Sequence, residues 1–175
     1  MTNARLGHLA NRTVFYALLL ALAATSAQTW AAEKKTFSGT GIFINISARQ
    51  VGYEADNPKR DMAQWTAIWT FTSTDPDFDG IIETAPTQSI CSPSGCRHQG
   101  QLVFRHKNGD ESWGYFYGTH TITSNTDGSW AFSTEGQKVL VGGTGKFAQI
   151  KGVLKYTAKD VPFGRGFNWT GEVEY

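Results

Sequence analysis

Beyond residue 33, apolar and polar residues alternate along the chain with a period of two. Aromatic or small apolar residues occupy every second position in 65–71 and again in 167–175, with threonine, isoleucine, asparagine and glutamate between them. A period of two is the side-chain repeat of a β-strand, and no stretch keeps the 3.6-residue apolar repeat of a helix. The chain is therefore predicted to be all-β.

Turn signals of the Gly, Asn-Gly and Asp-Gly types divide this pattern into strands. The predicted strands lie near 36–49, 63–73, 80–84, 99–107, 111–124, 129–135, 137–142, 148–158 and 166–175, and one or two of them are expected to be fragments of a neighbour. An open sheet of this size would expose two long edges, which closure removes. We predict one antiparallel closed barrel of about eight strands over residues 33–175, with an interior that side chains fill or that holds one small ligand.

The segment 142–147, Gly-Gly-Thr-Gly-Lys-Phe, joins a short apolar strand to a longer alternating one. Glycine suits the sharp bend or close backbone approach that such a junction needs. The segment is not a phosphate-binding P-loop, because Leu140 and Phe147 stand where that motif needs its first Gly and its Ser or Thr.

Segment 142–147 resembles the Gly-Gly-Thr-Gly-Lys-Phe stretch of dirigent proteins and the Gly-Gly-Ser-Gly stretch of allene oxide cyclases. The ending Gly-Glu-Val-Glu-Tyr at 171–175 is similar to the closing strand of dirigent proteins. The resemblance covers mainly residues 137–175. It implies an eight-stranded antiparallel barrel of the allene oxide cyclase or calycin type, and it carries no catalytic residue across to this chain, so the catalytic residues are unknown.

Residues 1–32 have the order of an export signal. Arg5 and Arg12 form a positive region, Val14–Ala24 is an apolar run of 11 residues, and small residues follow. The run is shorter than the roughly 20 residues of a transmembrane helix. We expect cleavage between 27 and 32, no membrane span in the mature chain, and a secreted or periplasmic protein; a retained membrane anchor is the alternative.

The charge of the mature chain bears on its partners. The full chain has 16 basic and 15 acidic residues, and loss of Arg5 and Arg12 leaves 14 basic against 15 acidic, a net charge near −1. That balance argues against nucleic acid or anionic lipid as the main partner. A small-molecule ligand is the expected partner, and a homo-oligomer stays open.

Cys91 and Cys96 enclose Ser-Pro-Ser-Gly, a turn-forming sequence. In an exported protein this arrangement predicts a local disulfide. A metal pair or a redox dithiol is the alternative. We disfavour it because two cysteines alone make an incomplete zinc site and because the spacing is not Cys-x-x-Cys.

The dipeptide Asn-Gly at 108–109 predicts a hairpin with a two-residue type I′ turn. Its register turns Arg97 and His120 toward the outer face and separates His120 from His98, which points the other way. The next turn, at 127–128, gives a compatible register. The inward face is then apolar and consists of Leu102, Phe104, Trp113, Tyr115 and Tyr117.

Candidate ligand-binding residues are inward-facing aromatics and polar groups near strand ends. They are Tyr115, Tyr117, Trp69, Trp113, Trp169, Glu83 and His98. Most of the aromatics are expected to be core. Tyr115 and Tyr117 are the strongest pocket candidates, because each buried hydroxyl needs a partner that a ligand could supply. If they lie on the outer surface instead, they fit an oligomer interface.

The loop 75–83 matches the first half of an EF-hand calcium loop, with Asp75, Asp77 and Asp79 at alternate positions and Glu83 as the remaining ligand. The match then ends, because Pro86 stands where the motif needs a bidentate Glu. We favour an acidic solvated turn over a weak calcium site.

Two functions compete for this predicted barrel. The first is binding of a small apolar or aromatic ligand in an aromatic-lined interior. The second is an isomerase similar to allene oxide cyclases, which steers a reactive intermediate by shape. A carboxylate facing the interior would favour the enzyme. We favour binding, because the sequence offers no pair of catalytic groups, and a structural role in an envelope assembly is a third option.

Overall fold

The computed structural model of the protein describes residues 32–54, 57–124, 126, 130–161 and 164–175; within them, the side chains at 45–54, 57–61, 122, 124, 130, 132, 159–161 and 164–165 are not described. Glu33–Tyr175 forms one compact unit. Apart from Ala32, the predicted leader lies outside the described residues, so the leader and its cleavage stay predictions. Within the described ranges, no helix has the length and apolar character needed to cross a membrane.

Eight strands close into one antiparallel barrel, in which each strand pairs with its neighbours in the chain and β8 pairs with β1. The strands are β1 Lys34–Glu54, β2 Asn57–Ser73, β3 Ile82–Ser92, β4 Gly95–Arg105, β5 Glu111–Ser124, β6 Trp130–Gly143, β7 Lys151–Val161 and β8 Gly164–Glu174. A short 3₁₀ turn, Gly145–Phe147, lies between β6 and β7. The predicted closed antiparallel barrel is confirmed.

Several of the predicted strand boundaries were wrong. The predicted segment 80–84 contains the start of β3, Ile82, and that strand runs on to Ser92 with alternating burial despite Pro86. The segments 129–135 and 137–142 are one strand, β6, which continues through Gly136. Gly136 is no break, because a Cβ there would collide with the Tyr156 ring and the carbonyl of Tyr117. Pro86 and Gly136 were therefore wrongly interpreted as strand ends, because pairing with the neighbouring strands continues past both residues.

The β4–β5 hairpin differs from the predicted two-residue turn. The backbone N–H of His106 donates to the Asp110 carbonyl at 2.9 Å, and the N–H of Gly109 donates to the His106 carbonyl at 3.0 Å. Gly109 has a φ of +89°, so residues 107–109 form a three-residue loop with glycine in the left-handed position. Arg105 therefore pairs with Glu111, one residue away from the predicted register.

This shift of one residue reverses the faces of β5. The exposed fractions of Trp113, Tyr115 and Tyr117 are 39%, 46% and 46%, whereas His120 is buried. The inward orientation predicted for the three aromatics was wrong, and so was the outward orientation of His120. The β5–β6 pairing is also displaced by one residue, with Thr123 opposite Ala131. The two displacements cancel between β4 and β6, so these two strands keep their predicted faces relative to each other and β5 alone is reversed.

The two ends of the barrel are built differently. At one end, the β2–β3 loop and the 3₁₀ turn fold over the opening, and Phe78, Ile81, Phe147 and Ile150 are almost completely buried there. We call this end the closed end. The rings of Phe78 and Phe147 lie 5.9 Å apart. The opposite end, which we call the far end, contains the β3–β4 turn, where a disulfide joins Cys91 to Cys96. The predicted disulfide is confirmed.

Candidate functional site

A cavity of about 60 Å³ lies inside the barrel. Its aromatic walls are Phe43, Trp65, Trp69, Phe116, Tyr156 and Phe167, and its ionisable lining groups are Glu83, His98, His120 and Lys138. The volume is below the roughly 300–1,000 Å³ of pockets that enclose drug-sized ligands. It holds about two water molecules and is smaller than the roughly 150 Å³ cavity that takes benzene, so it suits one compact group of a larger molecule.

An ion pair between Glu83 on β3 and Lys138 on β6 lies in the wall of this cavity. The side chains are 2% and 3% exposed, and the ammonium of Lys138 donates to Oε2 of Glu83. Burial lowers the pKa of Lys138, and the attraction of Glu83 opposes that shift. The ammonium also lies over four aromatic rings, with centroid distances of 4.5 Å to Phe167, 4.9 Å to Phe71, and 5.5 Å to both Phe104 and Tyr156.

Charge at these two positions contradicts the apolar pattern of the interior. Both residues occupy inward positions on strands whose other inward residues include Ala85 and Leu140. A buried ion pair seldom stabilises a protein more than well-packed apolar residues would, because desolvation offsets the attraction. Sites where a chain departs from the pattern that folding favours are often functional.

A chain of hydrogen bonds connects His98, His120 and Tyr156, which lie on β4, β5 and β7, in the same part of the wall as the ion pair. The Nδ1 atoms of His98 and His120 lie 3.2 Å apart, and Nε2 of His98 lies 2.5 Å from the hydroxyl of Tyr156. That hydroxyl donates to the carbonyl of Tyr117 at 3.4 Å. Burial, with smaller contributions from His120 and Lys138, lowers the pKa of His98 to about 4. The imidazole of His98 is therefore neutral at physiological pH.

Burial, and then the charge of Glu83, raises the pKa of Tyr156, so this phenol keeps its proton. Neutral hydroxyl and imidazole groups thus face the cavity beside the charged pair. Among the described residues, Trp65 Nε1 is the one buried side-chain nitrogen or oxygen without a hydrogen-bond partner. Because Trp65 lines the cavity, a ligand oxygen would supply the acceptor that its N–H needs.

The structure divides the predicted ligand-binding residues into three groups. Trp69, Glu83 and His98 line the cavity. Trp169 lies in the packed core, where its Nε1 donates to the carbonyl of Thr72 at 3.3 Å. The third group, Trp113, Tyr115 and Tyr117, lies on the outer face because of the reversed β5.

The lining residues that the sequence did not identify include Trp65, His120, Lys138 and Tyr156. His120 was placed outside by the wrong register. Lys138 and Tyr156 share the inward phase of Leu140 and Leu154 on their strands, so the alternation alone could have identified them. Lys138 was overlooked because a lysine is expected to face water.

The aspartates of the β2–β3 loop at the closed end already form ion pairs with lysines. Oδ2 of Asp77 accepts hydrogen bonds from Lys146 at 2.6 Å, from the Tyr175 hydroxyl at 2.7 Å and from Lys35 at 3.1 Å. Burial would raise the pKa of Asp77, but these three hydrogen bonds outweigh it and hold the pKa at about 2. Asp79 is paired with Lys107 at 2.7 Å.

Glu83 cannot complete the predicted calcium site, because its side chain points into the barrel and pairs with Lys138. Of the predicted ligands Asp75, Asp77, Asp79 and Glu83, the assignment of Glu83 is therefore wrong. Calcium binding by the three aspartates alone stays a prediction, and metal ions would have to displace lysines there. Titration calorimetry of metal-stripped protein measures it directly.

Among the described residues, one group of cysteine, histidine and carboxylate ligand atoms is compact enough for a metal ion. It consists of Cys91, Cys96 and His120, whose ligand atoms all lie within 4.8 Å of one another. In this structure the two sulfurs are bonded to each other. Nε2 of His120 lies 3.8 Å from Sγ of Cys91.

Two solved structures of dirigent proteins are similar to this chain. The pterocarpan synthase dirigent protein GePTS1 is 15% identical, with 85% of this chain and 88% of that chain covered and a TM-score of 0.45. The corresponding values for PsPTS1 are 15%, 85%, 97% and 0.44. No family model and no curated protein matches the chain. At this identity and with TM-scores below 0.5, these structures give no ground for assigning an activity.

Proposed function

We propose that this protein is an exported barrel that binds a small aromatic or apolar molecule carrying at least one oxygen atom. The observation that carries the proposal is the interior cavity, in which aromatic walls surround a buried Glu83–Lys138 pair. Pockets for small molecules combine apolar walls with a few polar groups that fix orientation. The cavity has both parts.

The lining groups define which ligand chemistry fits. The rings of Trp69 and Phe116 favour a flat or apolar body, since aromatic contacts combine large area with weak directional preference. The Trp65 N–H and the Lys138 ammonium are donors, so they favour an acceptor oxygen on the ligand. The volume of about 60 Å³ excludes a long acyl chain, and wall side chains must rotate outward to admit a whole aromatic ring.

Export is part of the same proposal. The Cys91–Cys96 disulfide is typical of oxidising compartments, and the leader at 1–32 has the order of a secretory signal. Mass spectrometry of exported protein, compared with total cell protein, measures whether the chain begins between Gln28 and Glu33. A full-length chain outside the cytoplasm would contradict cleavage. A homo-oligomer stays a prediction, and sedimentation of the exported protein measures it.

A fragment library of phenols, aromatic aldehydes and aromatic ketones, screened by thermal shift and by quenching of tryptophan fluorescence, tests binding. The decisive variant is Ala85→Leu, which adds volume to the cavity wall on β3. We expect it to abolish binding of the best fragment. The matched control is Tyr115→Leu on the outer face, which should leave that affinity unchanged. Equal affinity in Ala85→Leu and the native chain would place the ligand outside the cavity.

The second candidate function is the cyclase-like isomerase. The observation that favours it is Glu83, a carboxylate that faces the interior beside a lysine with a lowered pKa. Such a pair can take a proton from a bound molecule and return it at another atom. Deuterium exchange into the α-position of a bound ketone, followed by NMR in heavy water, measures this activity. Loss of the exchange in Glu83→Gln with binding retained supports the enzyme, whereas exchange at the uncatalysed rate in the native protein supports binding alone.

A further inference from the structure

We propose that reduction of the Cys91–Cys96 disulfide turns the far end of the barrel into a metal site, in which Cys91, Cys96 and His120 bind one thiophilic divalent ion such as zinc. The site does not depend on the ligand proposed for the cavity. Two cysteines alone are an incomplete zinc site, and the fold supplies the third ligand from a strand that is remote in sequence.

The backbone holds these three residues in one row across three strands. Cys91 on β3 pairs with Cys96 on β4, and Cys96 pairs in turn with His120 on β5. Ladder pairs continue on both sides of the cysteines, at Ile90 with Arg97 and at Ser92 with Gly95. The row is therefore fixed by strand pairing as well as by the disulfide, and both thiols stay beside the imidazole after reduction.

The distances suit tetrahedral coordination. With Zn–S near 2.3 Å and Zn–N near 2.0–2.1 Å, two ligand atoms on one tetrahedral zinc ion lie about 3.5–3.8 Å apart. Nε2 of His120 and Sγ of Cys91 already lie 3.8 Å apart. Only the two sulfurs must separate, which side-chain rotation can provide once their bond is broken. Water fills the fourth position, or the Ser89 hydroxyl does, 3.9 Å from Sγ of Cys91.

The hydrogen-bond chain behind His120 orients its ring. Nδ1 of His120 lies 3.2 Å from Nδ1 of His98, and Nε2 of His98 lies 2.5 Å from the Tyr156 hydroxyl. In the disulfide form, Nε2 of His120 faces Sγ of Cys91. When Nε2 binds the ion, Nδ1–H of His120 has Nδ1 of His98 as its acceptor. A metal-binding histidine usually donates its other N–H in this way, which orients the ring.

An ion can reach these ligands from outside. A surface depression of about 530 Å³ is lined by Cys96 and His120, with Ser92, Ser94 and Thr119 among its polar residues. Arg97 is the charged residue of its lining, and the two thiolates of the bound form would offset its repulsion of a cation. Ligands, second shell and entry path are thus all present in the described part of the chain.

Formation of the metal site takes two steps, reduction of the disulfide and binding of the ion. A phosphine or dithiol reductant supplies two electrons, the S–S bond breaks, and each sulfur takes up one proton. Binding of the ion then releases both thiol protons, since the thiolate is the ligand. Below the ordinary thiol pKa of about 8.5, the release is therefore about two protons for each ion bound.

The test uses the exported, metal-stripped protein in oxidised form and after reduction with a phosphine, which avoids competing thiols. We expect the reduced protein to bind one equivalent of zinc and to show thiolate-to-cobalt charge-transfer absorption with cobalt. We expect the oxidised protein to bind neither ion at this site. Calorimetry of the reduced protein in two buffers of different ionisation enthalpy should report about two released protons. One-to-one binding by the oxidised protein would overturn the proposal.

Single-residue variants distinguish metal binding at this site from metal binding by cysteines and histidines of the unfolded chain. Cys91→Ser, Cys96→Ser and His120→Ala should each abolish the cobalt absorption, and His98→Ala should weaken zinc affinity by about 10–100-fold. His106→Ala is the matched control, a buried histidine at the closed end, and should bind zinc as the native chain does. Near-ultraviolet circular dichroism reports whether reduced protein stays folded. Zinc binding that persists in His120→Ala, or that occurs only in unfolded protein, would contradict the site.

Discussion

His98 lies on β4 and His106 directly follows that strand; both side chains are buried, and burial lowers the pKa of both. At the closed end, His106 is fully partnered: Nδ1 lies 2.8 Å from the carbonyl of Asp77 and Nε2 lies 2.8 Å from the Ser112 hydroxyl. Its ring also stacks on Phe147 with a centroid distance of 3.7 Å. This polar group belongs to a packed core.

His98 lies among different neighbours. Its partners are a second histidine and a phenol. The cavity beside it is also lined by a buried ion pair and by Trp65, whose N–H has no partner among the described residues. Strand β4 and the residue that follows it thus contribute a histidine beside the cavity, His98, and a structural histidine in the packed core of the closed end, His106. Burial and low pKa alone do not distinguish the two roles, whereas unsatisfied neighbours and empty volume do.

The largest expected effect comes from breaking the buried ion pair. Lys138→Met leaves the Glu83 carboxylate buried without its partner, which costs about 3–5 kcal/mol. We expect the free energy of unfolding, measured by urea titration, to fall by about that amount. The double variant Glu83→Leu with Lys138→Met should recover most of the loss, because no charge is then left buried.

Lys34→Met is the control for this experiment. It removes a lysine from an exposed pair with Glu172, where Nζ and Oε1 lie 2.7 Å apart. Exposed pairs contribute little to stability, so we expect no measurable loss. A loss in Lys138→Met as small as that of the control would contradict a charged pair in the interior.

The second effect depends on pH. The pKa of His98 is about 4 in the folded protein and about 6.5 in an unfolded chain. As the pH falls below about 6.5, the unfolded chain takes up this proton first, so stability declines until the folded protein also binds it near pH 4. A difference of this size amounts to about 3 kcal/mol between pH 7 and pH 4.

Urea titrations of the native chain and of His98→Gln at several pH values measure this contribution. His106 and Asp77 titrate in both proteins, so their contributions cancel in the comparison. The native chain should lose more stability than the variant between pH 6.5 and pH 4. Parallel curves for the two proteins would show that His98 titrates alike in the folded and unfolded states.

The closed barrel was predictable because the two-residue alternation and the need to remove sheet edges both belong to the sequence. The faces of β5 were not. An Asn-Gly pair at 108–109 fits a two-residue turn as well as a three-residue loop, because both place Gly109 at a positive φ. The two turns differ by one residue, and that difference decides whether Tyr115 or Phe116 faces the interior.

The ionisable residues that line the cavity were predictable only in part. Glu83 and His98 were identified as candidate ligand-binding groups near the strand ends, but their partners come from distant strands. Lys138 is 55 residues away from Glu83 in sequence, and Tyr156 is 58 residues away from His98. Only the closure of the barrel brings such pairs together, and closure depends on registers that local sequence does not determine.

The smallest effects compare two tyrosines across the barrel wall. Tyr156→Phe removes the hydroxyl that bonds to Nε2 of His98 at 2.5 Å, and a buried group left without its partner costs about 1–3 kcal/mol. Tyr117→Phe removes an outer-face hydroxyl that donates to Gln137 at 3.1 Å, and surface changes of this kind stay within about 0.5 kcal/mol.

Urea titration of the two phenylalanine variants measures this difference, and nitrogen-15 spectra of the histidine rings add a second readout. Loss of the Tyr156 hydroxyl removes the group that orients the protons of His98 and His120, so the ring-nitrogen shifts of both should change in Tyr156→Phe and stay constant in Tyr117→Phe. If the two variants lose equal stability and both spectra are unchanged, the hydrogen-bond chain along the cavity wall does not form, and His98 would need another partner inside the barrel.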